Sequence, residues 1–588
     1  MSDEREDIDY NEFYGEDKPE KSTIKKRIIL IPIIIVVCVI CVIAAIIVER
    51  MTPSKEKMDL YQYYGVTNGT VSVMWNNEIA DEAIELEGTY YLNLDFVMEN
   101  FNDRFYYDDS LGKLLYTTLN DIYTITLAST TYHKNDAEVN CNYYIAVRQD
   151  EEIFIALDFL ADKMACTYYY LSEPDRIVMI SDGKSVQPVI FSSEAVIRTG
   201  ESIKDKILSI PQENEKWYKT GEESKKGWTM VAIADGRKGY VKTEEIVGVE
   251  DPYTYNSGYV AETYQGNQRD YDIVLVWHPI YGLEYNDNIE NLLANTKGVT
   301  TVSPTWYKVK DASGEITSMA DKDYVEYVQS LGMEVWPLIS DFTNVEGDGW
   351  SVAELLSNAV SRRNLIENII SEVLWLECEG INIDFEYIRD DSGDAYAQFI
   401  RELSIRCRQE GIVLSTDNPP PKAYNQQYHF EVLGEYVDYV MIMGYDEYTK
   451  SSGQTGPTAS YTYVKEGIEE ALKMIPANKL VNGVPFYTRL WTESVDEDGN
   501  LVLDTTTCFM RDSNEKAAQL GLTPEWDDEK KLFLAEGTLD GIQYTLWLEE
   551  ENSMKARMEL IRENNLAGVA AWALGMESPE VWDIITEK

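Results

Sequence analysis

Residues 379–387 read EGINIDFEY. Apolar and polar residues alternate strictly, which is the pattern of a β-strand whose successive side chains point to opposite faces. Asn382, Asp384 and Glu386 therefore share one face, each about 7 Å from the next. An amphipathic strand with a solvated face fits the stretch taken alone. The apolar run at 374–376 and the strand-like runs elsewhere favour a buried strand, in which two close carboxyl groups are costly unless a functional site uses them.

Eight short apolar runs with strand character divide the C-terminal part of the chain. They lie at 273–277, 299–302, 334–338, 381–385, 412–416, 438–442, 481–485 and 568–572. Amphipathic helical stretches separate most of them, for example 352–373 and 396–410. Strand–helix alternation repeated eight times over about 320 residues predicts a (β/α)8, or TIM, barrel at 270–588. The gap between the last two runs is far longer than the others, which predicts an insertion at about 487–550.

Composition excludes several classes of function. The chain has 588 residues, enough for several domains, and 44% of them are hydrophobic, enough for packed cores. The net charge of −52 argues against nucleic acid as a partner, because phosphate binding needs a basic surface. The three histidines form no HExxH pattern and no His/Cys cluster, so we expect no metal site and no cofactor. The seven scattered cysteines do not form a disulfide framework.

The N-terminal region predicts a membrane anchor. Residues 1–27 are polar and mostly acidic, which predicts a disordered tail, and they end in the basic cluster Lys25-Lys26-Arg27. Residues 28–48 carry no charge and are long enough to cross a bilayer as a transmembrane helix. A cleaved signal peptide is the alternative, but no clean small-residue cleavage site follows. The positive-inside rule places the N-terminus in the cytoplasm and the remaining domains outside the cell membrane.

Residues 60–182 contain an internal repeat with an offset of 63 residues. YLNLDF at 91–96 recurs as FIALDF at 154–159, and a Tyr-Tyr pair follows each copy. Each copy predicts a strand, a short helix and two strands, so the region is expected to be a duplicated α+β domain. It resembles the repeat named after the N-terminal domain of copper amine oxidases. That name implies no copper here, and a packing module or spacer is the preferred interpretation, with sugar or wall binding as the alternative.

Residues 187–248 predict a small β-barrel. The blocks VIRTG at 196–200, GWTMV at 227–231 and GYV at 239–241 resemble the bacterial SH3-like domain, apart from one extra residue in the first block. The resemblance implies either binding of cell-wall peptide or a spacer, and both interpretations stay open.

The residues at the predicted mouth of the barrel also resemble a known family. Residues 379–387 are similar to the DGxDxDxE signature of glycoside hydrolase family 18, the chitinase-like enzymes. Three further blocks agree with it: MIMGYD at 441–446, VPFY at 484–487 and GVAAW at 568–572. The pattern from Trp547 to Trp582 is close to bacterial members that act on cell-wall or spore-cortex peptidoglycan.

This resemblance implies a role for each site residue. Glu386 would be the general acid, and Asp384 would orient the substrate's 2-acetamido group, whose oxygen replaces a protein nucleophile. Both are the candidate catalytic residues. The candidate substrate-binding residues are Asn382, Tyr445, Asp446, Tyr487 and Trp572, with Trp572 stacking on the sugar. The charge of Asp384, with partial burial, is also expected to raise the pKa of Glu386 and keep it protonated.

The sequence departs from the family signature at two positions, where Glu379 and Asn382 replace aspartates. Asn382 is similar to the residue that wall-active branches carry, and it leaves Asp384 with an expected amide partner. The leading hypothesis is a membrane-anchored enzyme that cleaves N-acetylglucosamine-containing polysaccharide, with peptidoglycan as the substrate. The alternatives are a chitinase, an endo-β-N-acetylglucosaminidase and a non-catalytic carbohydrate-binding protein. Trp306, Trp336, Asn344 and His278 are weaker candidates for the cleft lining.

Overall fold

The computed structural model describes residues 23–66, 70–224, 226–342 and 349–587. The described residues divide into two compact units. The first contains those of Met1–Glu85 and Ala165–Tyr259, and the second those of Leu86–Met164 and Val260–Lys588. The predicted duplicated domain at 60–182 therefore falls in both units.

One helix among the described residues is long and apolar enough to cross a membrane. It spans Thr23–Met51, so it begins inside the predicted disordered tail and extends beyond the predicted 28–48 segment. Its part from Ile33 to Met51 has a mean hydropathy of 3.0, and its described apolar side chains are exposed. A helix of this length and apolar composition fits a membrane span.

The first unit also contains two larger sheets. One has the strand order Cys166–Leu171, Arg176–Ser181, Val71–Trp75 and Glu78–Leu86, the last strand ending at the unit boundary. A five-stranded antiparallel sheet lies where the SH3-like domain was predicted. Its strands in spatial order are Ile207–Ser209, Ile197–Arg198, Lys238–Lys242, Trp228–Ala232 and Tyr218–Glu223. Trp217, Val231 and Val241 lie in its buried core. The SH3-like assignment stays a prediction.

Residues 86–164 of the second unit form a small α+β module. The strands Thr89–Asn93, Glu152–Ala156 and Ala146–Gln149 pair antiparallel, and short helices follow two of them at Leu94–Asn100 and Leu157–Leu160. An antiparallel meander completes the module with the strands Phe105–Asp108, Lys113–Thr117, Ile122–Thr126, Thr131–Lys134 and Ala137–Asn140. The strand, helix and two strands that the repeat predicts are present in both copies.

The rest of the second unit contains the predicted barrel of eight parallel strands. In chain order they are β1 (Ile273–His278), β2 (Thr301–Pro304), β3 (Glu334–Val335 and Leu338–Ser340), β4 (Gly380–Asp384), β5 (Val413–Asn418), β6 (Tyr439–Ile442), β7 (Leu480–Pro485) and β8 (Gly568–Trp572). Neighbouring strands pair in this order, and β8 pairs with β1 to close the barrel. β3 is interrupted at Pro337, which has no backbone N–H to donate to a ladder.

Helices follow the strands as the alternation predicted. They span Ile289–Leu293, Lys322–Ser330, Val352–Ser357, Ala359–Leu376, Gly393–Glu410, Phe430–Tyr436, Tyr461–Ala471, Glu551–Glu563 and Val581–Ile585. The predicted helix at 352–373 is in fact two helices. Asn358 separates them because its side chain accepts hydrogen bonds from the N–H groups of Val360 and Ser361 and so starts a new helix.

The predicted insertion after β7 is an antiparallel sheet with one helix. Its strands in spatial order are Leu501–Phe509, Tyr487–Val495, Ile542–Leu548, Leu532–Leu539 and Glu525–Asp527, and its helix is Met510–Gln519. The first insertion strand begins two residues after the end of β7, so its first residues lie at the mouth of the barrel.

A buried ion pair joins the α+β module to the barrel within the second unit. Arg362, on the helix Ala359–Leu376, donates to Asp108 at 2.9 Å and also binds Glu402, and the side chains of Arg362 and Asp108 are almost fully buried. Tyr436 adds a hydrogen bond of 2.8 Å from its hydroxyl to the carbonyl of Thr117. The module is therefore packed on the outer helices of the barrel.

Candidate active site

A cleft of about 400 Å³ opens at the carboxyl ends of the barrel strands. Its lining is mostly aromatic and acidic: Trp277, Phe342, Asp384, Glu386, Asp417, Pro419, Pro420, Tyr424, Met443, Tyr445, Asp446, Tyr463, Tyr487 and Trp572. Catalytic groups of TIM barrels lie at this face. The structure therefore brings six of the seven predicted site residues together in one cleft, and the seventh, Asn382, lies behind it.

Strand β4 positions the two candidate catalytic carboxyls. Ile381, Ile383 and Phe385 face outward, where Phe385 stacks on Phe399 at a centroid distance of 5.7 Å. The alternation then directs Asp384 into the barrel and Glu386 into the cleft. Asp384 is 6% exposed and Glu386 is exposed to the cleft.

Asp341, which the sequence pattern did not single out, fixes the end of β4. It follows β3, is fully buried, and accepts hydrogen bonds from the backbone N–H groups of Glu386 (3.0 Å) and Tyr387 (2.9 Å). The carbonyl of Glu386 in turn accepts a hydrogen bond of 3.0 Å from the hydroxyl of Tyr428. The backbone on both sides of the Glu386 side chain is thus held in place.

The surroundings of Glu386 favour its protonated form. Although Glu386 is exposed to the cleft, the protein that surrounds its carboxyl displaces water from it and raises its pKa to about 7, and the charges of Asp341 and Asp446 contribute to this rise. The sequence-based expectation named the charge of Asp384 together with partial burial; the structure gives burial as the main cause, with Asp341 and Asp446 as the contributing charges. A carboxyl group with a pKa near neutrality is suited to donate a proton as a general acid.

Asn382 makes contacts other than those expected from the sequence. It is fully buried, and its Nδ2 donates to Ser415 Oγ at 3.0 Å and to Asp417 Oδ1 at 2.8 Å. Its Oδ1 accepts hydrogen bonds from the indole N–H of Trp277 (3.0 Å) and from the hydroxyl of Ser303 (3.3 Å). The four hydrogen bonds use the capacity of the amide, so Asn382 is not the partner of Asp384 and does not line the cleft.

Asp417 is the second carboxyl that the sequence pattern did not single out. It lies in β5, is 2% exposed, and accepts hydrogen bonds from Asn382 and from the indole N–H of Trp277 at 3.0 Å. Burial raises the pKa of Asp417 to about 8. Burial raises the pKa of Asp384 well above its ordinary value, and the charges of Glu386 and Asp417 add to this effect. Asp341 and Asp417 both stand at the carboxyl end of a predicted strand, which is the signal that could have identified them.

Aromatic rings form the floor and one wall of the cleft. The ring of Trp277 lies between those of Trp572 and Tyr445, at centroid distances of 6.1 and 6.5 Å. Tyr487 contacts Tyr445 edge to face at 6.3 Å. Flat apolar rings beside carboxyl groups are suited to bind the two faces of a sugar, one apolar and one polar.

Asp446 connects the end of β6 to the insertion. Its Oδ1 accepts hydrogen bonds of 2.5 Å from the Tyr487 hydroxyl and from the Arg489 guanidinium. Asp446 therefore fixes Tyr487 in the cleft wall, and Arg489 is another residue that the sequence pattern did not single out.

Three weaker candidates do not line the cleft. His278 is buried beside Tyr324, whose hydroxyl lies 2.9 Å from its Nδ1. Trp306 and Trp336 are fully buried and bind Asn286 and Glu334 through their indole N–H groups. The weak prediction that these tryptophans form sugar subsites is wrong. Asn344 lies outside the described residues.

The cleft is rich in carboxyl groups. Among the described residues, no lysine or arginine forms an ion pair with Asp341, Asp384, Glu386 or Asp417. Closely spaced carboxyls without a cation retain protons at pH values where free carboxyls are ionised. The arrangement can therefore donate a proton and stabilise positive charge that develops beside it.

Comparison with known proteins agrees with this geometry. The sequence profile of the family "Glycosyl hydrolases family 18" matches residues 259–577. The uncharacterized glycosylase YvbX of Bacillus subtilis (strain 168) is 25% identical over 297 residues, which cover 47% of this chain and 80% of YvbX. The cortical fragment-lytic enzyme of the same organism is 28% identical over 263 residues, covering 43% of this chain and 60% of that enzyme.

Among solved structures, a chitinase from Chromobacterium violaceum ATCC 12472 is 23% identical. The superposition covers 54% of this chain and 98% of the chitinase, with a TM-score of 0.47. The family match extends over more than half of the residues and includes every residue of the cleft. The chain therefore belongs to the glycosyl hydrolases of family 18.

Proposed function

We propose that this protein is a membrane-anchored extracellular hydrolase that cleaves N-acetylglucosamine-containing polysaccharide, with peptidoglycan as its substrate. The observation that carries the proposal is the arrangement of Asp384 and Glu386. Asp384 is buried and points into the barrel, whereas Glu386 faces an aromatic cleft and has a pKa raised to about 7.

Glu386 acts as the general acid. It protonates the glycosidic oxygen as the bond to the leaving sugar breaks. The nucleophile is the substrate's own 2-acetamido oxygen rather than a carboxylate of the protein, and it attacks the anomeric carbon. Water then opens the resulting oxazolinium intermediate with net retention of configuration.

Asp384 stabilises this intermediate. The acetamido nitrogen becomes positively charged as its oxygen attacks, and a buried carboxylate beside it stabilises that charge strongly. One oxygen of Asp384, Oδ1, is buried and has no hydrogen-bond partner among the described residues. An unsatisfied buried acceptor is costly, and a substrate N–H would satisfy it.

The mechanism restricts the substrate to sugars with a 2-acetamido group. Tyr445 binds this group from the side of β6, and Trp572 stacks under the sugar ring. The related proteins support a wall polysaccharide, because they include cortical fragment-lytic enzymes from three Bacillus species. The apolar helix Thr23–Met51 supports attachment to the membrane beside such a wall.

Products from three polymers test the proposal. The full chain is incubated with purified peptidoglycan, chitin oligomers and N-linked glycans, and mass spectrometry identifies the new reducing ends. We expect release from peptidoglycan with N-acetylglucosamine at the new reducing end. Glu386→Gln should abolish it, since the amide keeps the size of the side chain but cannot donate the acid proton.

A matched control separates chemistry from folding. Glu379→Gln makes the same change seven residues earlier, directly before the first residue of β4 and outside the cleft lining. It should retain activity. Unchanged activity in Glu386→Gln, or tight sugar binding without hydrolysis of any polymer, would refute the proposed catalysis. Preference for chitin oligomers over peptidoglycan would refute the proposed substrate only.

A further inference from the structure

Arg389 is a cation at the mouth of the cleft that the proposed reaction does not use. It lies on the loop that leaves β4, three residues after Glu386, and its side chain is exposed. The loops at the carboxyl ends of the strands form the substrate face of a TIM barrel. In a chain with a net charge of −52, an arginine beside a cleft that is rich in carboxyl groups calls for an explanation.

Aromatic rings connect Arg389 to the cleft lining. Its guanidinium carbon Cζ lies 5.6 Å from the ring centroid of Tyr387. The ring of Tyr387 meets that of Phe342 edge to face at 5.9 Å, and Phe342 lines the cleft. The positive charge of Arg389 also opposes the rise in the pKa of Asp341, which places it within electrostatic reach of the site. Two ring contacts therefore separate the guanidinium from the cleft, and the cation–π contact holds it at the rim.

The backbone of Arg389 is fixed by a buried serine. Ser392 is 1% exposed, and its hydroxyl accepts a hydrogen bond of 2.8 Å from the backbone N–H of Arg389 and donates one of 3.0 Å to the carbonyl. Gln427 donates a hydrogen bond of 3.2 Å to the carbonyl of the preceding residue, Ile388. The loop thus presents the guanidinium from a backbone that is already ordered, which lowers the entropy cost of binding a ligand there.

Other cations near the cleft have carboxylate partners. Arg489 is paired with Asp446, and Lys422 lies 3.8 Å from Glu466. Within the part of the chain that the structure describes, Arg389 forms no ion pair with a carboxylate. A guanidinium presents its N–H donors as a planar fork that matches the two oxygens of a carboxylate. The rim of the cleft therefore offers a site for a carboxylate of the substrate.

The carboxylates that a rim cation meets depend on the polymer. Chitin consists of N-acetylglucosamine and carries no carboxyl group. In peptidoglycan, every second sugar is N-acetylmuramic acid, whose lactyl group ends in a carboxyl group that is either free or joined to a peptide with carboxylates of its own. Two or three extended peptide residues span about 7–11 Å, which is enough to cross the two ring contacts between the cleft and the rim.

We propose that Arg389 is a specificity-determining residue that binds a carboxylate on the substituent of the sugar next to the cleaved bond. It thereby selects acidic wall glycan over chitin. The ion pair forms at an exposed rim, so it contributes to substrate binding rather than to the chemical step. This inference rests on the proposed function, because it takes the polymer in the cleft to be a wall glycan.

Kinetics on native and neutralised peptidoglycan test the proposal. The two substrates are soluble peptidoglycan strands and the same strands after their carboxyl groups have been converted to amides. Because an anionic protein repels an acidic polymer as a whole, the ratio of kcat/KM on the two substrates is compared between variants. Arg389→Gln should lower this ratio up to about fivefold at low salt through KM, the upper end for an exposed ion pair, and less at high salt. Arg389→Lys keeps the charge and should retain part of the ratio.

A matched control separates binding at the rim from the general charge of the protein. Arg363→Gln removes the same charge from an exposed arginine on the outer helix Ala359–Leu376, outside the cleft lining. It should leave the ratio unchanged. An equal loss of activity on both substrates in Arg389→Gln, which a structural role would cause, or the same fall of the ratio in Arg363→Gln, would overturn the proposal.

A third substrate shows which carboxylate is bound. Removing the peptides with an amidase leaves glycan strands that carry free lactyl carboxylates. If Arg389→Gln weakens activity on these strands as well, the lactyl carboxylate is the ligand. If the effect requires the peptide, a peptide carboxylate is the ligand. Both results support the proposal, whereas an effect on neither substrate refutes it.

Binding to an inactive variant distinguishes failure of this inference from failure of the proposed function. Glu386→Gln and Glu386→Gln/Arg389→Gln are titrated with the native and the amidated strands in a calorimeter. The double variant should bind the native strand up to about fivefold more weakly and the amidated strand equally well. If this holds while the wild type hydrolyses no polymer, the proposed function is wrong and the carboxylate site remains. If both variants bind the native strand equally, or neither binds it, the carboxylate site is refuted even where the wild type hydrolyses peptidoglycan.

Discussion

Replacing Asp341 by asparagine should shift the pH optimum of the enzyme downward. Asp341 carries two functions in the structure. Its oxygens accept hydrogen bonds from the backbone N–H groups of Glu386 and Tyr387. Its negative charge is also one of those that raise the pKa of Glu386. Burial raises the pKa of Asp341 itself to about 6, so its carboxyl is mostly ionised where Glu386 titrates. Asparagine keeps the shape and removes the charge.

The size of the effect follows from the protonated fraction of Glu386. With a pKa of about 7, half of Glu386 is protonated at about pH 7. If the pKa falls by about one unit, only about one tenth is protonated, and kcat/KM at that pH falls roughly fivefold. Asparagine also turns one N–H acceptor into a donor, so we expect a loss of about 1.5–3 kcal/mol in the free energy of unfolding.

The assay is the pH profile of kcat/KM on the polymer that the wild type hydrolyses. Asp341→Asn should move the basic limb to lower pH and leave the plateau below it largely intact. Asp438→Asn is the matched control. Asp438 is fully buried and accepts hydrogen bonds from the backbone N–H groups of Asn267 (2.7 Å) and Leu414 (2.9 Å), but it does not line the cleft. It should destabilise the protein similarly without moving the limb. A basic limb that stays in place or moves to higher pH in Asp341→Asn would refute the reasoning.

Three further predictions concern stability and sugar binding. Arg362→Leu should cost about 3–5 kcal/mol in urea unfolding by leaving the buried Asp108 without its cation, and Asp108→Asn should restore part of the loss in the double variant. The free energy of unfolding of the wild type should fall as the pH rises from about 5 to 8. The reason is that the pKa values of Asp341, Glu386 and Asp417 are higher in the folded state than in the unfolded state, so the folded state binds more protons over this range. Equal thermal unfolding temperatures at pH 5 and pH 8 would contradict this. Trp572→Ala should raise KM about tenfold by removing the stacked ring while kcat changes less, as steady-state kinetics would show.

Local patterns in the sequence were sufficient to predict most of the barrel. The period-two alternation of β4, the repeated strand–helix units and the long gap before β8 all depend on neighbours along the chain. The structure confirms eight parallel strands and an insertion after β7. The observed helix boundaries differ from the predicted ones where a side chain forms hydrogen bonds with the backbone. At Asn358, such an N-terminal cap divides one predicted helix into two.

The partners of the site residues could not be predicted in the same way. The sequence identified Asp384 and Glu386, and it proposed Asn382 as the neighbour of Asp384. The structure instead pairs Asn382 with Asp417, which lies 35 residues away. Asp341 binds the end of β4 from a distance of 45 residues along the chain.

The sequence by itself therefore determined which side chains of β4 face the interior, how many strands the barrel has and which family it resembles. Only the tertiary structure decided which carboxyls surround Asp384 and Glu386 and how each is satisfied. The physical reason is that alternation is a property of one strand, whereas contacts between strands depend on register and on closure of the barrel. The family signature showed where the acid stands, whereas the assembled barrel determines the burial of its carboxyl and brings up the charges of Asp341 and Asp446, which together raise its pKa.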